Sequence, residues 1–201
     1  MTNHSKKKLK KVLVSNRGEI AIRIFRAATE LGLKTVAVYS QEDRFALHRF
    51  KADEAYLIGE GKSPVQAYMD IEEVIRIAKL SNVDCIHPGY GFLSENPDFA
   101  EAVLKNNIQF VGPTPNVMRM LGNKINARSI ANDAGVQVMP ASESLPEEEK
   151  EIIKIAQKIG YPLMLKASWG GGGRGMRVIE NESKLIESIN SGKREAKNAF
   201  G

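Results

Sequence analysis

The chain has 201 residues, of which 42% are hydrophobic and 26% charged. That is the profile of a globular protein with room for one large domain or one and a half small ones. No apolar run approaches the roughly 18 residues that cross a bilayer, which excludes a membrane-spanning helix. The net charge of +5 is matched by Lys6, Lys7, Lys8, Lys10 and Lys11, and the basic and acidic residues left over balance. The basicity therefore belongs to a tail. Residues 1–9 read as a solvated, disordered terminus better than as a nucleic-acid arm. No apolar stretch follows these lysines, so they do not start a secretory signal. The single cysteine, Cys85, cannot form an internal disulfide and reads as a small core residue in "VDCIHPG". A reducing cytoplasm suits this composition.

In chain order, "KKVLVSN" (10–16) reads as a buried strand. "RGEIAIRIFRAATELG" (17–32) follows with Ile20, Ile24, Ala27, Ala28 and Leu31 at helical spacing and Gly32 as a stop. "KTVAVYS" (34–40) completes a βαβ unit with the usual right-handed crossover. "AYLIG" (55–59) is a third strand. "DIEEVIRIAKLSN" (70–82) is a helix with Asp70 as N-cap. "VDCIHPG" (83–89) is a strand, "ENPDFAEAVLKNN" (95–107) a helix and "IQFVGP" (108–113) a strand. The alternation predicts an open, doubly wound α/β domain over residues 10–115, with a parallel sheet.

The pattern then changes. "TPNVMRMLG" and "KINARSIANDAG" predict two connecting helices over 116–135. "SESLPEEEKEIIKIAQKIG" (142–160) is a polar linker and a helix, with Glu147 to Glu149 acidic at its start. "YPLMLKAS" and "GMRVIE" predict strands on either side of a glycine loop, and "NESKLIESINSGKREAKNAF" a long polar helix. Residues 136–201 thus read as a strand–loop–strand unit with helices, and two strands make a marginal sheet.

The loop is "SWGGGGRGM" (168–176). Consecutive unhindered backbone N–H groups can form a nest for phosphate, and Arg174 adds a charged donor. A P-loop needs a helix directly after its glycines, whereas a strand follows here. A dinucleotide fingerprint fails too, because "SNRGEIA" carries one glycine. A glycine loop closing a hairpin over a triphosphate remains, beside the plainer reading of a flexible surface hairpin. Lys166 can reach phosphates from its strand, or point outward as strand lysines often do. Lys124, after "MLGN", signifies nothing alone.

Taken together, "KVLVSNRGEIAIRIFRAATELG", "HPGYGFLSEN", "FVGP", "LGNK", "YPLMLKAS" and "GGGGRGMRV" resemble, in order and spacing, the biotin carboxylase component of biotin-dependent carboxylases. The resemblance runs from residue 10 to 201. "ALHRFKADEAYLIG" (46–59), and less strongly Trp169, resemble the pyruvate carboxylase branch rather than the acyl-CoA branches.

The resemblance implies an ATP-grasp fold, with a Rossmann-like domain ahead of an incomplete lid. It implies ATP-dependent activation of bicarbonate to carboxyphosphate and carboxyl transfer to biotin. Lys124 and Lys166 match lysines that contact ATP phosphate. Gly172 and Gly173 match the closing loop, with Gly170, Gly171, Arg174 and Gly175 beside them. Tyr90 matches an aromatic residue near the biotin and bicarbonate pocket. Asn123 departs from the acidic residue that many relatives carry. His87 reads as a strand-end residue holding the Pro88–Gly89 turn, and Arg17 and Glu19 as structural or pocket-shaping.

The resemblance places the catalytic base, the biotin-serving arginine and the Mg²⁺ carboxylates beyond residue 201. No catalytic residue and no metal ligand is therefore expected within the chain. The expected partners are ATP, bicarbonate and a biotin carrier domain in an oligomeric full-length enzyme, with no nucleic acid and no membrane. The reading is the N-terminal portion of an ATP-dependent carbon–carbon ligase, inactive alone. The alternative is a non-catalytic remnant that binds nucleotide weakly.

Overall fold

A computed structural model describes residues 8–142, 144–166 and 176–200. The chain divides into two compact units, Met1–Arg119 and Met120–Gly201.

The first unit is built on five parallel strands: β1 (Lys11–Val14), β2 (Lys34–Tyr39), β3 (Glu54–Leu57), β4 (Cys85–His87) and β5 (Gln109–Phe110). Their order is β3-β2-β1-β4-β5. The chain winds outward from β1 in one direction, then returns and winds the other way. β1 and β4 are neighbours in register, Val12 against Cys85 and Val14 against His87. The inner strands β1, β2 and β4 are short, largely buried apolar runs because both faces of the sheet are covered there, whereas the edge strands β3 and β5 are partly exposed.

Alternation along the strands sorts the side chains. Leu13, Val36, Val38 and Ile86 join one core with Tyr68, Val74, Ile77, Phe99 and Val103. These come from α2 (Pro64–Tyr68), α3 (Ile71–Leu80) and α4 (Pro97–Lys105). Val14 and Ala37 turn the other way, onto Ala21 and Phe25 of α1 (Gly18–Glu30). Burying each large aliphatic or aromatic side chain contributes about 2 kcal/mol. Phe99 and Phe110 meet edge to face at 5.9 Å. Cys85 is buried and free, and burial, with Asp84 adding to it, pushes its thiol up to about 11.

The helix signals act as anticipated at most ends. Asp70 accepts the Glu73 N–H at 3.2 Å and caps α3. Asn96 accepts the Asp98 and Phe99 N–H groups ahead of α4. Gly32 adopts φ +74 after α1. The buried stripe of α1 differs from the expected one. It is Ala21, Phe25 and Ala28, with Ile24 alongside, while Leu31 is 77% exposed. Leu31 is the C-cap, so it lies beyond the last turn that faces the sheet. Three short elements carry no period and were not foreseen: α2 and the 3-10 turns Glu42–Phe45 and Leu47–Lys51.

α5 (Pro115–Leu121) spans the division between the units, and its Arg119 pairs with Asp98 and Glu101 of α4. The second unit continues with α6 (Lys124–Asp133), α7 (Glu149–Ile159), β6 (Leu163–Leu165), β7 (Arg177–Ile179) and α8 (Leu185–Phe200). β6 and β7 pair antiparallel, Leu163 against Ile179 and Leu165 against Arg177. Ile152 and Ala156 of α7 and Leu185 and Ile189 of α8 bury Ile179 between them. Arg177 donates to Ser191 Oγ at 2.8 Å and Glu195 Oε2 at 2.6 Å, tying β7 to α8. No helix among the described residues is long and apolar enough to cross a membrane.

Candidate functional site

In the first unit the chemistry gathers beyond the carboxyl ends of β1, β2 and β4. The strands are added outward from β1 in opposite directions, so the strand order reverses between β1 and β4, and open α/β sheets bind ligands at such a crevice. β1 leads into Ser15, Asn16 and Arg17. The Ser15 N–H donates to the His87 carbonyl at 3.0 Å, extending the ladder by one step. The Asn16 side chain is buried and crosses to the loop after β4. Its Nδ2 donates to the Pro88 carbonyl at 2.7 Å and the Tyr90 carbonyl at 2.9 Å. Its Oδ1 accepts the Arg17 N–H at 2.9 Å.

Gly89 lies against that side chain with φ +68, and a Cβ there would sit 2.7 Å from Asn16 Nδ2. Only glycine tolerates both the conformation and the approach. The Gly89 N–H donates to His87 Nδ1 at 3.0 Å, so His87 holds the turn as anticipated. Burial holds the His87 pKa below its ordinary value, which favours a neutral ring protonated on Nε2.

The loop ends on Phe92, stacked on Tyr68 with ring centroids 5.1 Å apart. The Tyr68 hydroxyl accepts the Ser40 N–H at 3.3 Å and donates to Asp43 Oδ2 at 2.8 Å. Burial, then the Asp43 carboxylate, pushes the Tyr68 pKa up, so the hydroxyl stays a donor. Asp43 is itself buried, and Arg17 Nη2 reaches its Oδ1 at 2.7 Å. The Arg17 guanidinium also lies 5.8 Å from the Tyr68 ring centroid. His48 is fully buried beside them, with Nε2 3.2 Å from the Val38 carbonyl, and burial lowers its pKa. A carbonyl only accepts, so that nitrogen carries the hydrogen.

Tyr90, the candidate pocket aromatic, is 66% exposed at the crest of this loop. The candidate phosphate groups belong to the second unit. The backbone of Lys124 opens α6, and its side chain lies outside the described residues. Asn123 caps that helix: its Oδ1 accepts from the Ile125 N–H at 2.8 Å and the Asn126 N–H at 3.2 Å. An aspartate would cap equally well, which gives the departure at this position a structural reason. Lys166 follows β6 directly and is exposed. Gly170, Gly171, Gly172, Gly173, Arg174 and Gly175 lie outside the described residues. Their connection joins two antiparallel strands, so no helix follows the glycines.

The sequence did not reveal Asn16, Asp43 and Tyr68 as a set. Asn16 lies in "SNRGEIA", where the helix start draws attention to Arg17 and Glu19 instead. Among the described residues, no group of three or more His, Cys, Asp or Glu side chains is placed to hold a metal ion.

An open, doubly wound domain followed by a glycine-loop hairpin defines an ATP-grasp type of architecture. The family model for the biotin carboxylase N-terminal domain matches residues 8–118. That for the carbamoyl-phosphate synthase L chain ATP-binding domain matches residues 123–201. The chain belongs to the biotin carboxylase family. It is 54% identical over 197 residues to pyruvate carboxylase of Bacillus subtilis, covering 98% of this chain and 17% of that protein. A Rhizobium etli pyruvate carboxylase structure with the allosteric activator acetyl coenzyme A superimposes with TM-score 0.85 at 56% identity. That match covers 96% of this chain and 17% of the other. The biotin carboxylase domain dimer of Hydrogenobacter thermophilus 2-oxoglutarate carboxylase gives TM-score 0.89 at 44% identity, over 96% of this chain and 42% of that one. It was solved with MgADP, ADP and bicarbonate. The chain thus matches the N-terminal biotin carboxylase region of pyruvate carboxylase and spans about a sixth of such proteins' length, 17% of the Bacillus subtilis one.

Proposed function

We propose that this chain is the N-terminal part of a pyruvate carboxylase, contributing to the step in which ATP and bicarbonate carboxylate biotin. Residues 10–115 form the N-terminal α/β domain, 116–135 the connecting helices and 136–201 part of the ATP-grasp lid. The observation that carries the reading is the antiparallel pairing of β6 and β7 around the glycine-rich connection, with Lys166 at the end of β6. A hairpin of this kind can lower backbone donors onto a triphosphate, and a lysine at its root offsets phosphate charge.

In this reading Lys124, Lys166, Gly170, Gly171, Gly172, Gly173, Arg174 and Gly175 contact ATP. Closure of the loop excludes water from carboxyphosphate, which water would otherwise hydrolyse. Tyr90 borders the biotin and bicarbonate pocket. The described residues do not fit Mg²⁺, which needs clustered hard oxygen ligands. No step is assigned to it, and no residue of the chain is assigned catalysis. A biotin carrier domain and an oligomeric full-length enzyme are the partners that the reading requires.

The test uses a chimera in which residues 8–201 replace the matched segment of the Bacillus subtilis pyruvate carboxylase. Bicarbonate-dependent ATP hydrolysis by the chimera, with a raised KM for ATP in Lys166→Ala, supports the reading. A folded chimera without turnover, or Lys166→Ala without effect on ATP, counts against it.

A further inference from the structure

We propose that Asn16 is a positioning residue for Tyr90, reaching across the crevice between β1 and β4 to set where the aromatic ring stands. The inference rests on the reading of Tyr90 as a border of the biotin and bicarbonate pocket.

Tyr90 has little else to hold it. The residue is 66% exposed, and among the described residues its hydroxyl has no hydrogen-bond partner. The ring is therefore placed chiefly through its backbone. That backbone passes through left-handed conformations on either side, φ +68 at Gly89, +69 at Gly91 and +44 at Phe92. Three anchors fix the turn. His87 Nδ1 takes the Gly89 N–H, and Tyr68 stacks on Phe92. Among the described residues Asn16 alone hydrogen-bonds Tyr90, donating to its carbonyl at 2.9 Å and to the Pro88 carbonyl at 2.7 Å.

The grip is stiff. Asn16 is 3% exposed, and its amide orientation is fixed from both ends. Oδ1 accepts the Arg17 N–H, while Nδ2 faces two carbonyls, so a flipped amide would set donor against donor and acceptor against acceptor. Gly89 leaves no slack on the other side, since a Cβ would lie within 3.1 Å of three Asn16 atoms. Arg17, the next residue, is tied to Asp43, so the carrier of the grip is anchored in the sheet edge.

Asn16→Asp tests this in the chimera. It keeps the size of the side chain and the Oδ1 acceptor, and it replaces the amide donor by an oxygen that repels two carbonyls. A displaced Tyr90 should raise the KM for bicarbonate and free biotin about tenfold, the scale expected from a small misplacement in a site. The KM for ATP should stay unchanged. Tyr90→Ala should reproduce the same split. A merely structural role would instead lower the active fraction, reducing kcat with every KM unchanged. Should Asn16→Asp not fold, Asn16→Ser shortens the reach without introducing charge and is read in the same way. If Tyr90→Ala shows the split and neither Asn16 variant does, the positioning role is overturned and the pocket reading stands. If Tyr90→Ala is silent, the pocket reading falls and the inference with it.

Discussion

The hydroxyl of Tyr68 donates to Oδ2 of Asp43 across 2.8 Å, joining the end of α2 to the turn after β2 inside the protein. Both residues are buried, and Arg17 takes the other carboxylate oxygen. Tyr68→Phe keeps the ring and its stack on Phe92 while removing the donor. A buried carboxylate oxygen is then left with the Ser40 hydroxyl, 3.4 Å away. The expected cost is about 1–3 kcal/mol, because the buried carboxylate loses its short donor and the Ser40 N–H loses the hydroxyl it donates to. The measurement is the urea midpoint at unchanged m-value. A variant as stable as the parent would mean that Asp43 is solvated through another route.

Gly59 and Gly61 give a paired prediction. Both have positive φ, +63 and +76. A Cβ on Gly61 meets nothing within 4 Å, whereas one on Gly59 overlaps the Ala67 Cβ and Cα. Gly61→Ala should cost about 1 kcal/mol, the conformational term alone. Gly59→Ala should cost about 3 kcal/mol, since α2 must also shift. Equal costs would show that α2 yields freely.

How far the sequence led can be argued from these positions. β1, β2 and β4 were legible because each is an apolar run bounded by turn residues, the composition of a strand covered on both faces. The edge strands β3 and β5, only partly buried, were legible from the turn residues that bound them. Asp70 and Gly32 were legible because capping is a local rule. Leu31 misled, since helical spacing does not say where the last turn stops facing the sheet. Asp43, Tyr68 and His48 were illegible as a group. They sit in 3-10 turns and a short helix, where no period exists, and their contacts bridge long stretches of chain, 28 residues between Ser40 and Tyr68 and more between Arg17 and Tyr68. "HPGYGFLSEN" marks the Tyr90 loop, but the residue gripping it stands 74 positions earlier.

His48 and His87 predict a pH dependence. Burial lowers both pKa values, so the folded state binds fewer protons than the unfolded state just below the ordinary histidine value of about 6.5. Their contribution is fully present above about pH 6.5 and is lost as pH falls toward the lowered values. Asp53, Asp70 and Glu73 are also lowered, but as carboxylates they contribute above about pH 4 and lose it only below. The urea midpoint should therefore drop between about pH 7.5 and 5.5, where the histidines alone titrate. His48→Gln cannot titrate and should show a smaller drop. An equal drop would move the effect away from His48.

The last prediction concerns the 201 residues on their own. Lys124, Lys166 and the glycine-rich segment can supply positive charge and backbone donors to phosphate. Among the described residues no carboxylate cluster offers a metal site, and Lys166 stands exposed at the end of a two-stranded sheet. Positioning and charge stabilisation together lower a barrier by roughly 10 kcal/mol or more in a complete site. A few phosphate donors do not replace that, because they bind ground state and transition state alike. The isolated chain should release no phosphate in response to bicarbonate and should not carboxylate free biotin. Its affinity for ATP should be roughly millimolar, and weaker still in Lys166→Ala. Phosphate release is measured with and without bicarbonate at micromolar chain, and ATP binding by titration calorimetry. Bicarbonate-stimulated turnover by the isolated chain would place catalytic groups within these residues and overturn their assignment as a phosphate-binding portion.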